Sequence, residues 1–218
     1  RWLEALEEEL AGDYEHRIEE PLDNYYGMAV FSKLPMKGKV EFLVQDDVPS
    51  VHAPVVLRSG VEVELHALHP RPPEPLNDQP STPRDAELVV VGRGIEKKKD
   101  VPVIVAGDLN DVAWSDTSEL FVRISGLLDP RVGRGFYNSF NAKNPLARYP
   151  LDHIFHSNHF KLIRLERLMP IGSDHFPIFA ELLFAPEAPA EQEPSEKEPG
   201  DDRQARKKIE KQKEEEAD

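Results

Sequence analysis

Apolar and polar positions along the chain fall into short runs at close intervals. Residues 101–106 read VPVIVA, a β-branched stretch without a charged side chain, which predicts a buried strand. Residues 61–65 read VEVEL and alternate apolar with charged positions, the pattern of a half-exposed strand. Further strands are predicted at 14–19, 27–32, 40–44, 53–58 and 61–68, at the start of LDHIF (151–155), and at 176–182. Helical spacing of Trp2, Leu3, Leu6 and Leu10 predicts a helix over 1–10. A second helix is predicted from about Pro83 to Lys98, opened by Ser81-Thr82-Pro83 and carrying Ala86, Leu88, Val89 and Val90. A short third helix starts near Thr117. Two segments lack any period: 70–83, rich in proline and including Asn77 and Asp78, and 133–149, with glycine, asparagine, arginine and aromatics. Strands alternating with helices predict an α+β fold, a two-sheet sandwich flanked by helices. After Phe184 the composition shifts. PEAPAEQEP has nothing to bury and predicts disorder, and the Lys/Glu-rich 203–216 holds one isoleucine, too little for a core face. The expected organisation is a domain over 1–184 and a charged, acidic tail over 185–218.

Chemistry gathers at the ends of these strands. Gly107-Asp108-Leu109-Asn110 follows VPVIVA, so that a carboxylate and an amide one residue apart leave the sheet edge together. Gly172-Ser173-Asp174-His175 precedes FPIFAEL, and Asp152 opens LDHIF. Each alone is also an ordinary turn sequence. GDLN and GSDH together supply two acids, an amide and a histidine, the parts needed to hold a hard divalent cation and activate a water, and Asp152 adds a third acid. His66 and His69 lie three apart near one strand end, so only one of them can face such a site from a regular strand. His153 sits on the opposite face from Asp152 and is expected in core or surface. His52 and His159 show no constellation. Among loop residues, Arg148 is the best phosphate-binding candidate, because a guanidinium pairs with phosphate bidentately. Asn138, Asn141, Tyr25, Tyr26 and Tyr149 are weaker ones.

Composition narrows the substrate. The formal net charge is −14 over 218 residues. A body this acidic lacks the positive field of a general DNA-binding protein, which favours a small or lipid phosphoester without excluding a local basic groove. The absence of cysteine removes thiol chemistry and disulfides and fits the cytosol or the outside. No run approaches the ~18 apolar residues of a membrane span.

The order of the motifs resembles the endonuclease/exonuclease/phosphatase superfamily, the DNase I-like fold. The resemblance runs through Gly27-Met28-Ala29-Val30-Phe31-Ser32-Lys33, Leu65-His66-Ala67-Leu68-His69-Pro70, GDLN, LDHIF and GSDHFPI, over roughly residues 1–184. Its LHP-x-PP string is similar to a bacterial subgroup of uncharacterised members. The resemblance implies a metal-dependent phosphoesterase acting on nucleic acid, lipid or sugar phosphate, with Mg²⁺, or Mn²⁺, as cofactor. It implies that Asp108 orients and deprotonates the attacking water, and that Asn110 holds this nucleophile or the phosphate. Asp174 is implied as a metal carboxylate, with His175 on the water or phosphate, Asp152 as hydrogen-bond partner of His175, and His69 as the histidine facing the site. Arg148, Asn138 and Tyr26 are the expected substrate contacts. The family normally opens with strands that end in an Asn and in a Gln-Glu whose Glu ligates the metal. Residues 1–6 resemble the helix after that Glu, so the resemblance implies that those strands lie outside this chain. The alternative expectation is a catalytically idle scaffold on the same fold.

Overall fold

The computed structural model describes residues 2–73, 80–98 and 100–217. Asn77 and Asp78 of the proline-rich loop lie outside the described residues. Helix α1 (Trp2–Leu10) leads into a hairpin of β1 (His16–Glu20) and β2 (Met28–Ser32). A five-stranded sheet follows, in the order β3 (Lys39–Glu41), β4 (Ser50–Val56), β5 (Glu62–Ala67), β6 (Val103–Asp108), β7 (Asp152–His156). All neighbours in it are antiparallel except β5 and β6, which run parallel and are joined through α2 (Thr82–Glu96). Helix α3 (Asp116–Ser125) follows β6, and β8 (Phe160–Arg167) pairs with β9 (Ile178–Phe184) in a second hairpin. A 17-residue helix, α4 (Asp201–Ala217), ends the described chain. No described helix is long and apolar enough to cross a membrane.

The sheet separates two apolar layers. On one face Val103, Val105 and Phe155 pack against Leu88, Val91 and Ile95 of α2 and Phe121 of α3. On the other, Val51 and Ala53 meet Ile18, Met28 and Val30 of the first hairpin. Each fully buried side chain of this size contributes about 1.5–3 kcal/mol. The Val103 and Val105 face of β6 is therefore buried under the helices, while Ile104 and Ala106 on its other face are half-buried.

Helix α3 is longer than the short helix the sequence suggests, and its ends account for this. The Ser115 hydroxyl caps the first turn by accepting from the Ser118 N–H at 3.0 Å. Gly126, at φ 67°, closes the last turn in the left-handed conformation.

Two differences from the sequence reading have physical causes. Strand β8 escapes the pattern because a register shift between Leu162 and Arg164 breaks its alternation. The segment after Phe184 is not without a packing face. Ala205 and Ile209 of α4 join Val89, Leu120 and Ile124, and the docking is fixed by charge. Arg123 of α3 donates to both carboxylate oxygens of the buried Asp201, at 2.9 and 3.0 Å, and Lys208 reaches Asp85 at 2.7 Å. Counting apolar residues misses a helix held by two small side chains and buried ion pairs.

Helix α2 buries one acid without a partner. Glu87 is 3% exposed, and its Oε1 meets no hydrogen-bond donor among the described residues. Burial pushes its carboxyl up from 4.5 to about 8. Between those values the unfolded chain has released a proton that the folded chain retains. Stability should therefore fall as pH rises from 4.5 to about 8, by about 1.4 kcal/mol per pH unit from this group. We expect Glu87→Gln to gain on the parent steadily across that range in urea unfolding at pH 5, 6.5 and 8. A constant difference across the three would show that Glu87 is ionised in the fold.

Candidate active site

Sheet pairing brings the candidate residues to one edge. The parallel strands β5 and β6 end on the same side, and β7, antiparallel to β6, begins there. Asp108 at the end of β6 lies in register with Asp152 at the start of β7. The chain leaving β5 stays against β6 through the Leu68 N–H, which donates to the Ala106 carbonyl at 3.0 Å. Gly107 makes this approach possible. It sits at φ 148°, and a Cβ there would collide with the carbonyl oxygen of Leu68. His69 is thereby placed with Nε2 3.8 Å from Asp108 Oδ2.

His175 completes the group. Its Nδ1–H donates to Asp152 Oδ2 at 2.7 Å, and its Nε2 lies 3.6 Å from Asp108 Oδ2. Ligand atoms of Asp108, Asp152 and His175 all fall within 4.8 Å of one another. The electrostatics are strained in a useful direction. Burial, and then the facing Asp152 carboxylate, push Asp108 up to about 6. The hydrogen bond that His175 donates to Asp152 lifts the imidazole above its usual range against the effect of its burial. Burial pulls His69 below that range, so it is neutral at pH 7.

Behind these groups lies a buried polar frame. Asn110 is held at φ 51° by three bonds. Its N–H donates to Asp108 Oδ1 at 2.9 Å, its side-chain amide donates to the Pro70 carbonyl at 2.9 Å, and its carbonyl accepts from Arg84 Nη1 at 2.6 Å. His153 is core, as its strand position suggests. Its Nδ1 accepts from Arg131 at 2.6 Å, which leaves Nε2–H to donate to the Asp111 carbonyl at 2.8 Å. Burial drives His153 down to about 4, consistent with this neutral tautomer. Ser139, fully buried, ties the irregular 133–149 segment to the site. Its hydroxyl accepts from the Asp152 N–H at 3.1 Å, and its carbonyl accepts from the Phe176 N–H at 2.8 Å.

A sequence profile described as "Endonuclease/Exonuclease/phosphatase family" matches residues 1–175. The chain belongs to this family. Members of the family are phosphoric ester hydrolases and are generally dependent on divalent metal. No curated protein matches the chain. Solved structures share the fold. An endonuclease/exonuclease/phosphatase from Beutenbergia cavernae DSM 12333 is 17% identical with a TM-score of 0.66, over 84% of this chain and 57% of that one. This chain thus spans little more than half of that relative's length. The human Nocturnin catalytic domain with bound sulfate is 16% identical, TM-score 0.64, covering 84% of this chain and 77% of that one. The mannosyl-6-phosphatase of Bacteroides thetaiotaomicron VPI-5482 is 19% identical, TM-score 0.60, covering 84% and 82%. At these identities the likeness is one of DNase I-like fold.

Within this family fold the remaining sequence candidates divide. Asp174 does not join the three-residue cluster. Its carbonyl is taken by the Ala142 N–H at 2.6 Å, and its exposed carboxylate receives the Ser173 hydroxyl at 3.4 Å. Phe140 bridges to His175 and turns the imidazole inward, and the preceding side chain consequently stands at the rim. Asp174 still acts on Asp108 and His175 through its charge. Tyr26 lies against the site, its ring 5.4 Å from that of His69 and under the Arg71 guanidinium. Arg148 instead stacks 5.0 Å over Phe176, and Asn138 uses its carbonyl to accept from Arg167 at 3.0 Å. Ser139, Phe140, Arg84 and Arg131 support the site and have no signature in sequence, because their roles arise from contacts across long separations.

Gly107→Ala tests the close approach of β5 and β6. The added methyl meets backbone, and its φ is open to glycine alone. We expect a loss of about 3 kcal/mol or more in denaturant unfolding, from strain and displaced packing together. An unchanged midpoint would show that the two strand ends separate freely.

Proposed function

We propose that the chain hydrolyses a phosphoester in the cleft bordered by Asp108, Asp152, His175 and His69. The observation that carries this reading is the Asp108–Asp152–His175 cluster, with an imidazole locked between two carboxylates. The donor set suits a divalent cation. Two carboxylates stand in register, and Asp108 is already pushed up by its burial and then by the facing Asp152 carboxylate. Asp108, Asp152 and, from the rim, Asp174 would hold it. Oxygen donors favour Mg²⁺, with Mn²⁺ able to replace it. When bound, the cation neutralises the phosphoryl oxygens and the leaving oxygen.

This chain's residues account for the rest. Asp108 Oδ2 accepts a proton from water as the water oxygen bonds to phosphorus, in line with the departing ester oxygen. Asp152 accepts from His175 Nδ1–H and favours the doubly protonated ring, so that Nε2–H faces the phosphoryl group and donates to it as charge accumulates. His69, neutral and stacked near Tyr26, supports a second phosphoryl oxygen. Asn110 anchors the turn that carries Asp108, its amide committed to Pro70. The net charge of −14 favours a small or lipid phosphoester over nucleic acid as the substrate.

A panel of phosphomonoesters and phosphodiesters, assayed with Mg²⁺, with Mn²⁺ and after chelation, tests the proposal. We expect metal-dependent hydrolysis of at least one class. Asp108→Asn should reduce kcat by about 10²–10⁴-fold, the usual worth of a positioned proton acceptor. Asp152→Asn should lower kcat while leaving KM within a few-fold, because it disorients His175 without touching substrate. Turnover that is insensitive to Asp108→Asn would overturn the assignment, and a folded, metal-supplied protein inert on every ester would make the fold a scaffold.

A further inference from the structure

A second group of ligating side chains lies on the same sheet, away from the cleft. His52 on β4 and His66 on β5 are directly paired in register, and their rings face each other edge to face at 4.8 Å. Their Nδ1 atoms are 2.5 Å apart. The other nitrogen of His52, Nε2, meets the Ser50 hydroxyl at 2.9 Å with Glu41 3.8 Å away, and His66 Nε2 lies 3.7 Å from Glu64. The pair opens into a cavity of about 410 Å³ between the sheet and α2, bordered by Leu43, Val90, Val91 and Gly94. Lys39 and Lys98 stand at its edge, bound to Glu41 and Glu64.

We propose that His52 and His66 form a binding site for a divalent transition cation of the Zn²⁺ or Cu²⁺ class, separate from the catalytic cleft. The reasoning concerns where protons can reside. Burial lowers both imidazoles, His66 to about 4, so both rings are neutral at pH 7. A neutral ring carries one N–H. If each N–H lies on Nε2, facing Ser50 from His52 and Glu64 from His66, two Nδ1 lone pairs oppose each other at a distance that neither tolerates. A cation between them removes the conflict. It leaves each ring with its ligating nitrogen inside and its N–H outside, on the Ser50 hydroxyl for His52 and toward Glu64 for His66, as outer partners orient metal-binding histidines. If one Nδ1 carries the proton instead, the pair shares it, and in the present structure His66 Nε2 is left buried without a hydrogen-bond partner among the described residues. Two ligands at about 2.0–2.1 Å in a tetrahedral site stand about 3.3 Å apart. The rings therefore need to part by somewhat under 1 Å, and the cavity allows it while supplying water for the open positions. Imidazole nitrogen selects Zn²⁺ or Cu²⁺ over Mg²⁺, so the cation serving the cleft would not compete here. A bound ion would pin β4 to β5, one strand away from the strand that carries Asp108.

Zinc chloride titrated into the EDTA-treated 218-residue chain, followed by calorimetry and by ¹⁵N shifts of the histidine rings, tests this. We expect saturable Zn²⁺ binding that shifts the Nδ1 signals of His52 and His66 and raises Tm, unaffected by tenfold excess Mg²⁺. His52→Gln and His66→Gln should each weaken that event at least tenfold, and Asp108→Asn should leave it intact. Zn²⁺ that shifts only the His175 ring, or an affinity unchanged in both glutamine variants, would overturn the proposal. Should either variant fail to fold, the ring shifts of the parent chain decide alone. Zinc that leaves the His52 and His66 signals unmoved rejects the site.

Discussion

The structure depends on how β6 is held. It pairs parallel with β5 and antiparallel with β7, and its Val103 and Val105 side chains are buried under α2 and α3. Those two directions bring two strand ends and one strand start to a single edge of the sheet. The close approach at Gly107 and Leu68 then fixes how tightly His69 and Asp108 can sit. Because Val103 and Val105 are packed under α2 and α3, a displacement at this edge would have to disturb those helices. The cleft thus inherits the rigidity of the core.

That placement has a cost. Two acids in register across an antiparallel pair repel each other, and burial adds to the penalty carried by Asp108. The fold offsets part of it by inserting His175 between them, with a short bond to Asp152. It also builds a polar frame from Arg84, Asn110, Asp111, His153 and Arg131, in which the neutral His153 connects loop and strand. Local instability is concentrated at the strand ends where the raised Asp108 carboxyl lies beside the His175 imidazole oriented by Asp152.

Charge plays a different part at the other end of the chain. Helix α4 has little apolar surface, and ion pairs to α2 and α3 fix its place. The His52–His66 pair likewise shows a sheet face used for polar contacts where α2 leaves an opening.

The sequence by itself determined the strands that are regular and buried, since β-branched runs such as VPVIVA have one way to satisfy both faces. It determined the family order of motifs, and with it the gathering of Asp108, Asp152, His69 and His175, because strand-end residues follow from where strands stop. It also separated His66 from His69; His66 lies within β5 and His69 lies beyond its end, beside Asp108. Tertiary structure alone decided what depends on contacts between distant segments. These are the bulged β8, the turning inward of His175 and outward of Asp174 by Phe140, and the diversion of Arg148 onto Phe176. They also include the docking of α4 and the meeting of His52 with His66. None leaves a periodic trace, because each depends on which residue from elsewhere in the chain arrives opposite it.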